Sequence, residues 1–147
     1  MNNINIVHAD EKHKEFLIYA NKVIDNVNNM EETKGLELNI DKDYFCNNPK
    51  FQCLVAEVDG KPVGMILYSY FYWASDGQVL WISQMFVEEK YRKHGIFFKL
   101  ISQLRAENKN IRIVSCATGN DNIRMQKILK YYGGHEMKNL KFYYKKV

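Results

Sequence analysis

The sequence predicts an α/β fold, α+β in its local order: a mixed, mostly antiparallel central sheet flanked by helices. Three observations carry this. Residues 51–58 and Lys61–Trp73 read as apolar strands separated by Asp59-Gly60, a strong signal for a two-residue hairpin turn, so the two are antiparallel neighbours. A third strand, 80–87, follows through the turn 74–77. Beyond it the apolar period lengthens: Ile96, Leu100, Ile101 and Leu104 mark a helix, and 111–116 returns as a strand. A strand–helix–strand unit needs a crossover connection, so the sheet is mixed.

The remaining elements follow in order. Ile4–His8 is a short strand, and Asp10 is placed to cap a helix with Glu11 in its first turn. Phe16, Leu17, Ala20, Val23, Ile24 and Val27 recur at helical spacing and predict an amphipathic helix ending near Asn28-Asn29. Residues 30–48 are polar and irregular, rich in Glu and Asp, with a short helix expected over 41–46 and closed by Asn47-Asn48-Pro49. Such an acidic segment is a solvated surface or a face for a cationic substrate. On Lys61–Trp73, alternation puts Tyr68, Tyr70 and Tyr72 on one face and Phe71 and Trp73 on the other. After 111–116, Asn120 or Asp121 caps a last helix with Ile123, Ile128, Leu129 and Tyr132 in its stripe, ended by Gly133-Gly134. The tail 137–147 reads as one or two closing strands. No repeat or linker interrupts the chain, which predicts one domain over 1–147.

Composition narrows the function classes. The chain of 147 residues is 46% hydrophobic and 26% charged, ordinary for a soluble globular protein. A net charge of +4 does not suggest a nucleic-acid binder. The three cysteines, Cys46, Cys53 and Cys116, form no CxxC pair, which predicts reduced thiols in a cytoplasm and no zinc set. Neither an apolar signal core nor a membrane-length run is present, so the expectation is a soluble, cytoplasmic protein with no membrane partner.

The functional signal lies in 81–104. Its turn, 88–95, carries Lys90, Arg92, Lys93 and His94, and Gly95 hands the chain to the helix. Free backbone N–H groups and the positive end of the helix dipole make an anion site there, which the basic side chains strengthen. By itself the pattern is also that of a solvated basic turn.

The run Phe86-Val87-Glu88-Glu89-Lys90-Tyr91-Arg92-Lys93-His94-Gly95-Ile96 resembles the signature of the GNAT superfamily, the acyl-CoA-dependent N-acetyltransferases. That signature is a strand ending in Val, a short loop, then Arg/Gln-x-x-Gly-x-Gly/Ala opening a helix. Arg92, Gly95 and Ile96 match; Phe97 stands where the family usually has a small residue. Residues 69–95 are also similar to the diamine/polyamine acetyltransferase branch, although Ser83 and Gln84 replace carboxylates usual there. The element order agrees with the GNAT fold.

The resemblance implies acetyl-CoA as co-substrate, no metal, and acetyl transfer to an amine of a small molecule or peptide by direct attack in a ternary complex. It implies backbone contacts from Met85, Phe86 and Val87 to the pantetheine arm. The pyrophosphate would lie on the amides of Arg92, Lys93, His94, Gly95, Ile96 and Phe97, and Asn122 would contact the CoA arm. The family's tyrosine acid falls on Leu129, which has no proton to give, so Tyr132 is the candidate acid. Glu57 is the candidate base, with Asp76 and His135 beside it. The alternative reading is a non-catalytic acyl-CoA-binding or regulatory module on the same fold. The aromatics of 68–73, if exposed, suggest a homodimer.

Overall fold

The structure, a computed structural model, describes residues 3–27, 36–139, 141, 143 and 145. The chain divides into two compact units, Met1–Ala117 and Thr118–Val147. The first is built on a five-stranded sheet in the order β1-β2-β3-β4-β5. Its strands are β1 (Ile4–His8), β2 (Gln52–Val58), β3 (Lys61–Trp73), β4 (Gly77–Val87) and β5 (Ile113–Cys116). Its helices are α1 (Lys14–Val27), α2 (Leu36–Asp43) and α3 (Ile96–Glu107). The second unit carries α4 (Ile123–Tyr131).

The first four strands pair antiparallel, and β4–β5 is the parallel pair that α3 bridges. Asp59 and Gly60 both take positive φ, 51° and 77°, as a primed two-residue turn requires. Alternation along the strands then divides the core in two. Leu54, Ala56, Ile66, Tyr68, Leu80 and Ile82 pack with Ile96, Leu100 and Leu104 of α3. Cys53, Val55, Met65 and Phe86 pack with Phe16, Leu17 and Ala20 of α1 and Ile40 of α2. With a helix layer on each side, β2 is buried from Cys53 to Val58. That double burial is why its sequence runs apolar instead of alternating.

Several boundaries differ from the sequence expectation. β4 begins at Gly77, because its pairing with β3 continues to Trp73↔Gly77. β5 begins at Ile113, since only Val79–Ile82 of β4 pair with it. The second helix ends at Asp43, whose C=O accepts from Lys50 N–H at 2.7 Å. Tyr44 leaves the helix to stack on Phe51 and donate its hydroxyl to Ala9 C=O, 2.7 Å away. Tyr68, offered above among exposed rings, is only 2% exposed, whereas Tyr72 is 73% exposed. The cap of α4 is Asn122 and not Asn120 or Asp121: its Oδ1 accepts from Met125 N–H, while Gln126 donates to the carbonyls of Gly119 and Asn120. Residues 28–35 and, within the expected closing strands, 140, 142, 144, 146 and 147 lie outside the described residues; the described residues of 137–147 are in no strand. Among the described residues no helix is long and apolar enough to cross a membrane.

Candidate active site

The site grows out of an irregularity in β4. Its register with β3 holds from Trp73↔Gly77 to Tyr68↔Ile82 and then slips, so that Leu67 faces Gln84 and Ser83 is the extra residue of a β-bulge. Ser83 Oγ donates to Leu67 C=O at 3.1 Å. The bulge reverses the parity of the strand: Leu80 and Ile82 before it, and Met85 and Val87 after it, all pack toward α3. Phe86 lies on the opposite face, its ring 6.0 Å from Phe16 and 5.8 Å from Tyr19 of α1. The bulge also marks the end of β5, whose last pair is Ile82↔Cys116. From Ser83 to Val87, β4 therefore has β3 on one side and no strand on the other among the described residues. Its backbone groups on that side are an open hydrogen-bonding edge. Met85 and Val87 turn theirs to it, whereas Phe86, in step with Glu88 whose N–H bonds Val63 C=O, turns its own to β3.

The strand then turns into α3. Glu88 N–H bonds Val63 C=O at 2.9 Å, and residues Glu89–Tyr91 make one 3-10 turn. Lys93 and Gly95 both take left-handed φ, 68° and 77°. Arg92 before them is extended, so the chain reverses sharply between the end of β4 and the start of α3. The first ladder bond of α3 runs from Lys99 N–H to Gly95 C=O, 3.0 Å, and a helix has no internal acceptor for the amides before that point. A Cβ on Gly95 would meet nothing within 4 Å, so the space over the turn is open.

Arg92 is half-buried, and its Nε donates to Val87 C=O at 2.9 Å, tying the turn to the end of β4. Lys93 and His94 are exposed, and Lys90 stands 5.0 Å from the Tyr91 ring centre. Ile96 is buried in the α3-side core, and Phe97 beside it is half-buried. Gly64 completes the arrangement and was not anticipated. It lies opposite Val87, and a Cβ there would stand 3.1 Å from Phe86 O and 3.3 Å from side-chain carbons of both Ile96 and Val87. Glycine lets the first turn of α3 settle closely on the strands, where a Cβ would push its neighbours back by a few tenths of an ångström. An isolated glycine in an aromatic strand is the signal that could have found it.

The candidate base is drawn into other work. Glu57 is 6% exposed on β2, between Asn5 and Pro62. Its Oε1 lies 2.9 Å from Lys12 Nζ and 2.8 Å from His13 Nε2. Asp10 N–H points at His13 Nδ1, 3.0 Å away, so the ring proton sits on Nε2 and is donated to Glu57. The hydrogen bonds from Lys12 and then His13 hold the Glu57 carboxyl below its ordinary pKa, which makes it a weaker base than a free carboxylate. Asp76 is at the hairpin tip, bonded to Ser75. From Gly64, opposite Val87, to Trp73, next to that tip, β3 spans about 30 Å. The sheet thus separates Asp76 from the open edge.

Asn122, Leu129, Tyr132 and His135 belong to the second unit. Within it Asn122 caps α4, and Tyr132 follows the last turn with its N–H on Ile128 C=O at 3.1 Å. The Tyr132 ring meets that of Tyr131 edge-on, and His135 is exposed.

A bulged strand thus brings an open backbone edge, a left-handed turn and a helix start side by side. A sequence model of the acetyltransferase (GNAT) family matches residues 21–133, and the chain belongs to that family. Thialysine N-epsilon-acetyltransferase of Sus scrofa is 33% identical over 82 residues, covering 50% of this chain and 48% of the relative. The Mus musculus enzyme of the same name is 30% identical over 105 residues, 65% and 62% of the two chains. The chain thus matches about half to three fifths of the length of these curated relatives. Among solved structures, aminoglycoside N-acetyltransferase AAC(6')-Iy in complex with CoA superposes with a TM-score of 0.79 at 20% identity, covering 100% of this chain and 97% of that one. A possible acetyltransferase from Clostridium difficile 630 gives 0.80 at 21% identity, covering 98% of each chain. These likenesses show the GNAT fold.

Proposed function

We propose that the chain is an acetyl-CoA-dependent N-acetyltransferase acting as one domain, with a small-molecule or peptide amine as acceptor. The observation that carries this is the open edge of β4 from Ser83 to Val87 running directly into the left-handed turn and the start of α3. The residues fit the co-substrate. On the open edge at Met85, Phe86 and Val87, the backbone groups of Met85 and the N–H of Val87 offer hydrogen bonds to the amides of a pantetheine arm, while Phe86 turns its own to β3. The amides from Arg92 to Phe97, with Lys93 and His94 above them, receive the pyrophosphate, and Gly95 leaves room for its approach. Asn122 is assigned to the CoA arm through its side-chain N–H groups, since its Oδ1 is spent on the cap.

In the reaction the neutral amine nitrogen attacks the thioester carbonyl carbon. The N–C bond forms, the C–S bond breaks, and CoA departs as a thiolate that takes up the proton the amine has lost. Backbone N–H around Val87 stabilises the oxygen on which charge develops. Tyr132 is proposed to relay that proton, its hydroxyl protonating the thiolate and recovering the proton that the amine loses, and Glu57 is assigned to structure. The family membership and the CoA complex of the AAC(6')-Iy structure support this reading.

A second reading, a non-catalytic acyl-CoA-binding module, is favoured by Leu129, which has no proton to give, by Phe97, and by Ser83 and Gln84, which stand in for carboxylate bases. Calorimetric titration of acetyl-CoA into the protein and into Gly95→Trp tests both. Saturable binding that the variant loses supports the site; absence of binding by the unmodified protein overturns both. Thiol release with an amine panel then separates enzyme from module.

A further inference from the structure

We infer that Gln84 and the ring-lined face of the β3–β4 hairpin select the acceptor, and that this acceptor is a primary monoamine on an aromatic or apolar body. The inference rests on the acetyltransferase reading above. It starts from one atom: Gln84 Oε1 is buried and has no hydrogen-bond partner among the described residues. A carbonyl oxygen taken from water and left unpaired is unfavourable, and a ligand N–H placed there recovers that loss.

The place of the atom says what that ligand is. Gln84 follows the bulge residue Ser83, at the point where β4 loses β5. Met85 and Val87 face α3, so Gln84 shares the opposite face with Phe86 and with Leu67, its partner across the strands. Gln84 therefore stands beside the open edge to which the thioester is assigned.

From Gln84 the same face continues outward through the pairs Ser69↔Trp81, Phe71↔Val79 and Trp73↔Gly77. The Phe71 ring is 5.5 Å from Trp73 and 6.3 Å from Trp81, and all three rings are half-buried. From Leu67 to Trp73 this track is about 20 Å long. None of the strand residues on it is charged.

A polyamine or an aminoglycoside brings several ammonium groups, and this track offers them no carboxylate. A monoamine gives one N–H to Gln84 Oε1 and lays its apolar body against the rings, while its lone pair faces the thioester carbonyl. Gln84 takes up no proton in this arrangement; it fixes the direction of attack.

The test is thiol release from acetyl-CoA with 2-phenylethylamine, tryptamine, methylamine, putrescine, spermidine and an aminoglycoside. The arylalkylamines are expected to exceed putrescine by about tenfold or more in kcat/KM. Gln84→Leu should lower kcat/KM for 2-phenylethylamine by about 10- to 100-fold, with calorimetric acetyl-CoA affinity retained. Gln84→Glu should move the preference toward putrescine. Trp81→Leu should raise KM for 2-phenylethylamine and leave that for methylamine unchanged; Phe71→Leu serves if Trp81→Leu does not fold. Wild-type preference for putrescine, spermidine or the aminoglycoside overturns the inference alone, as does a Gln84→Leu variant with unchanged kinetics. Transfer to no amine, with acetyl-CoA bound, overturns the enzyme reading and this inference with it.

Discussion

Arg92 and Glu57 show how a charged side chain can serve by bracing. The Nε of Arg92 is committed to Val87 C=O, so the guanidinium holds the turn against the end of β4 before any ligand arrives. Replacing it with Met removes a charge-assisted hydrogen bond of about 1.5–3 kcal/mol. We expect Arg92→Met to weaken acetyl-CoA binding by about tenfold or more in calorimetry, on the arithmetic of 1.4 kcal/mol per decade. Glu57 joins β2 to Lys12 and to the buried His13. Its removal leaves His13 Nε2–H without an acceptor, so Glu57→Ala should cost about 1–3 kcal/mol in urea unfolding, with turnover unchanged. A fall in kcat at full folding would return Glu57 to the role of base. Because its folded pKa is lowered, the stability it contributes is complete above the ordinary carboxylate pKa and disappears as pH falls through the lowered value. The unmodified protein should therefore lose more stability than Glu57→Ala on acidification below about pH 4.5.

Among the elements, β4 and the start of α3 form one device, and Gly64 of β3 sets its spacing. Gly64→Ala places a Cβ against Phe86 O, Ile96 and Val87. Overpacking of this kind costs about 1–3 kcal/mol, and the displaced strand end and helix start should weaken acetyl-CoA binding as well. Wild-type affinity and melting temperature in Gly64→Ala would show that the contact is soft. The elements themselves were legible because each rests on local signals: the Asp59-Gly60 turn, the helical stripe Ile96, Leu100, Leu104, and the Gly95 break. The Ser83 bulge was not legible. A slip in register is decided by the partner strand, and nothing in LWISQMFV marks which residue is left over. The cap of α4 falls on Asn122, just beyond Asn120 and Asp121, where the Gln126 side chain holds the carbonyls of Gly119 and Asn120 in the turn before the helix.

For the whole molecule, a ligand that binds only the folded chain stabilises it by mass action. Acetyl-CoA at a hundredfold excess over its Kd should stabilise the chain by about 2.7 kcal/mol. Differential scanning calorimetry with and without acetyl-CoA measures this, and an unmoved transition would remove the co-substrate assignment. The basic turn was readable from Lys90, Arg92, Lys93 and His94 alone, and so was the family signature they belong to. Sequence by itself determined the order of strands and helices from Ile4 to Tyr131 and the position of the basic turn, because periodicity, turn residues and glycine placement are encoded within a few neighbouring positions. Tertiary structure alone decided that Ser83 is the bulge, that Gly64 carries the start of α3, that Glu57 is spent on Lys12 and His13, and that Gln84 Oε1 stands unpaired. Each of those depends on which distant residue lies opposite, and that is fixed only when strands pair and helices pack.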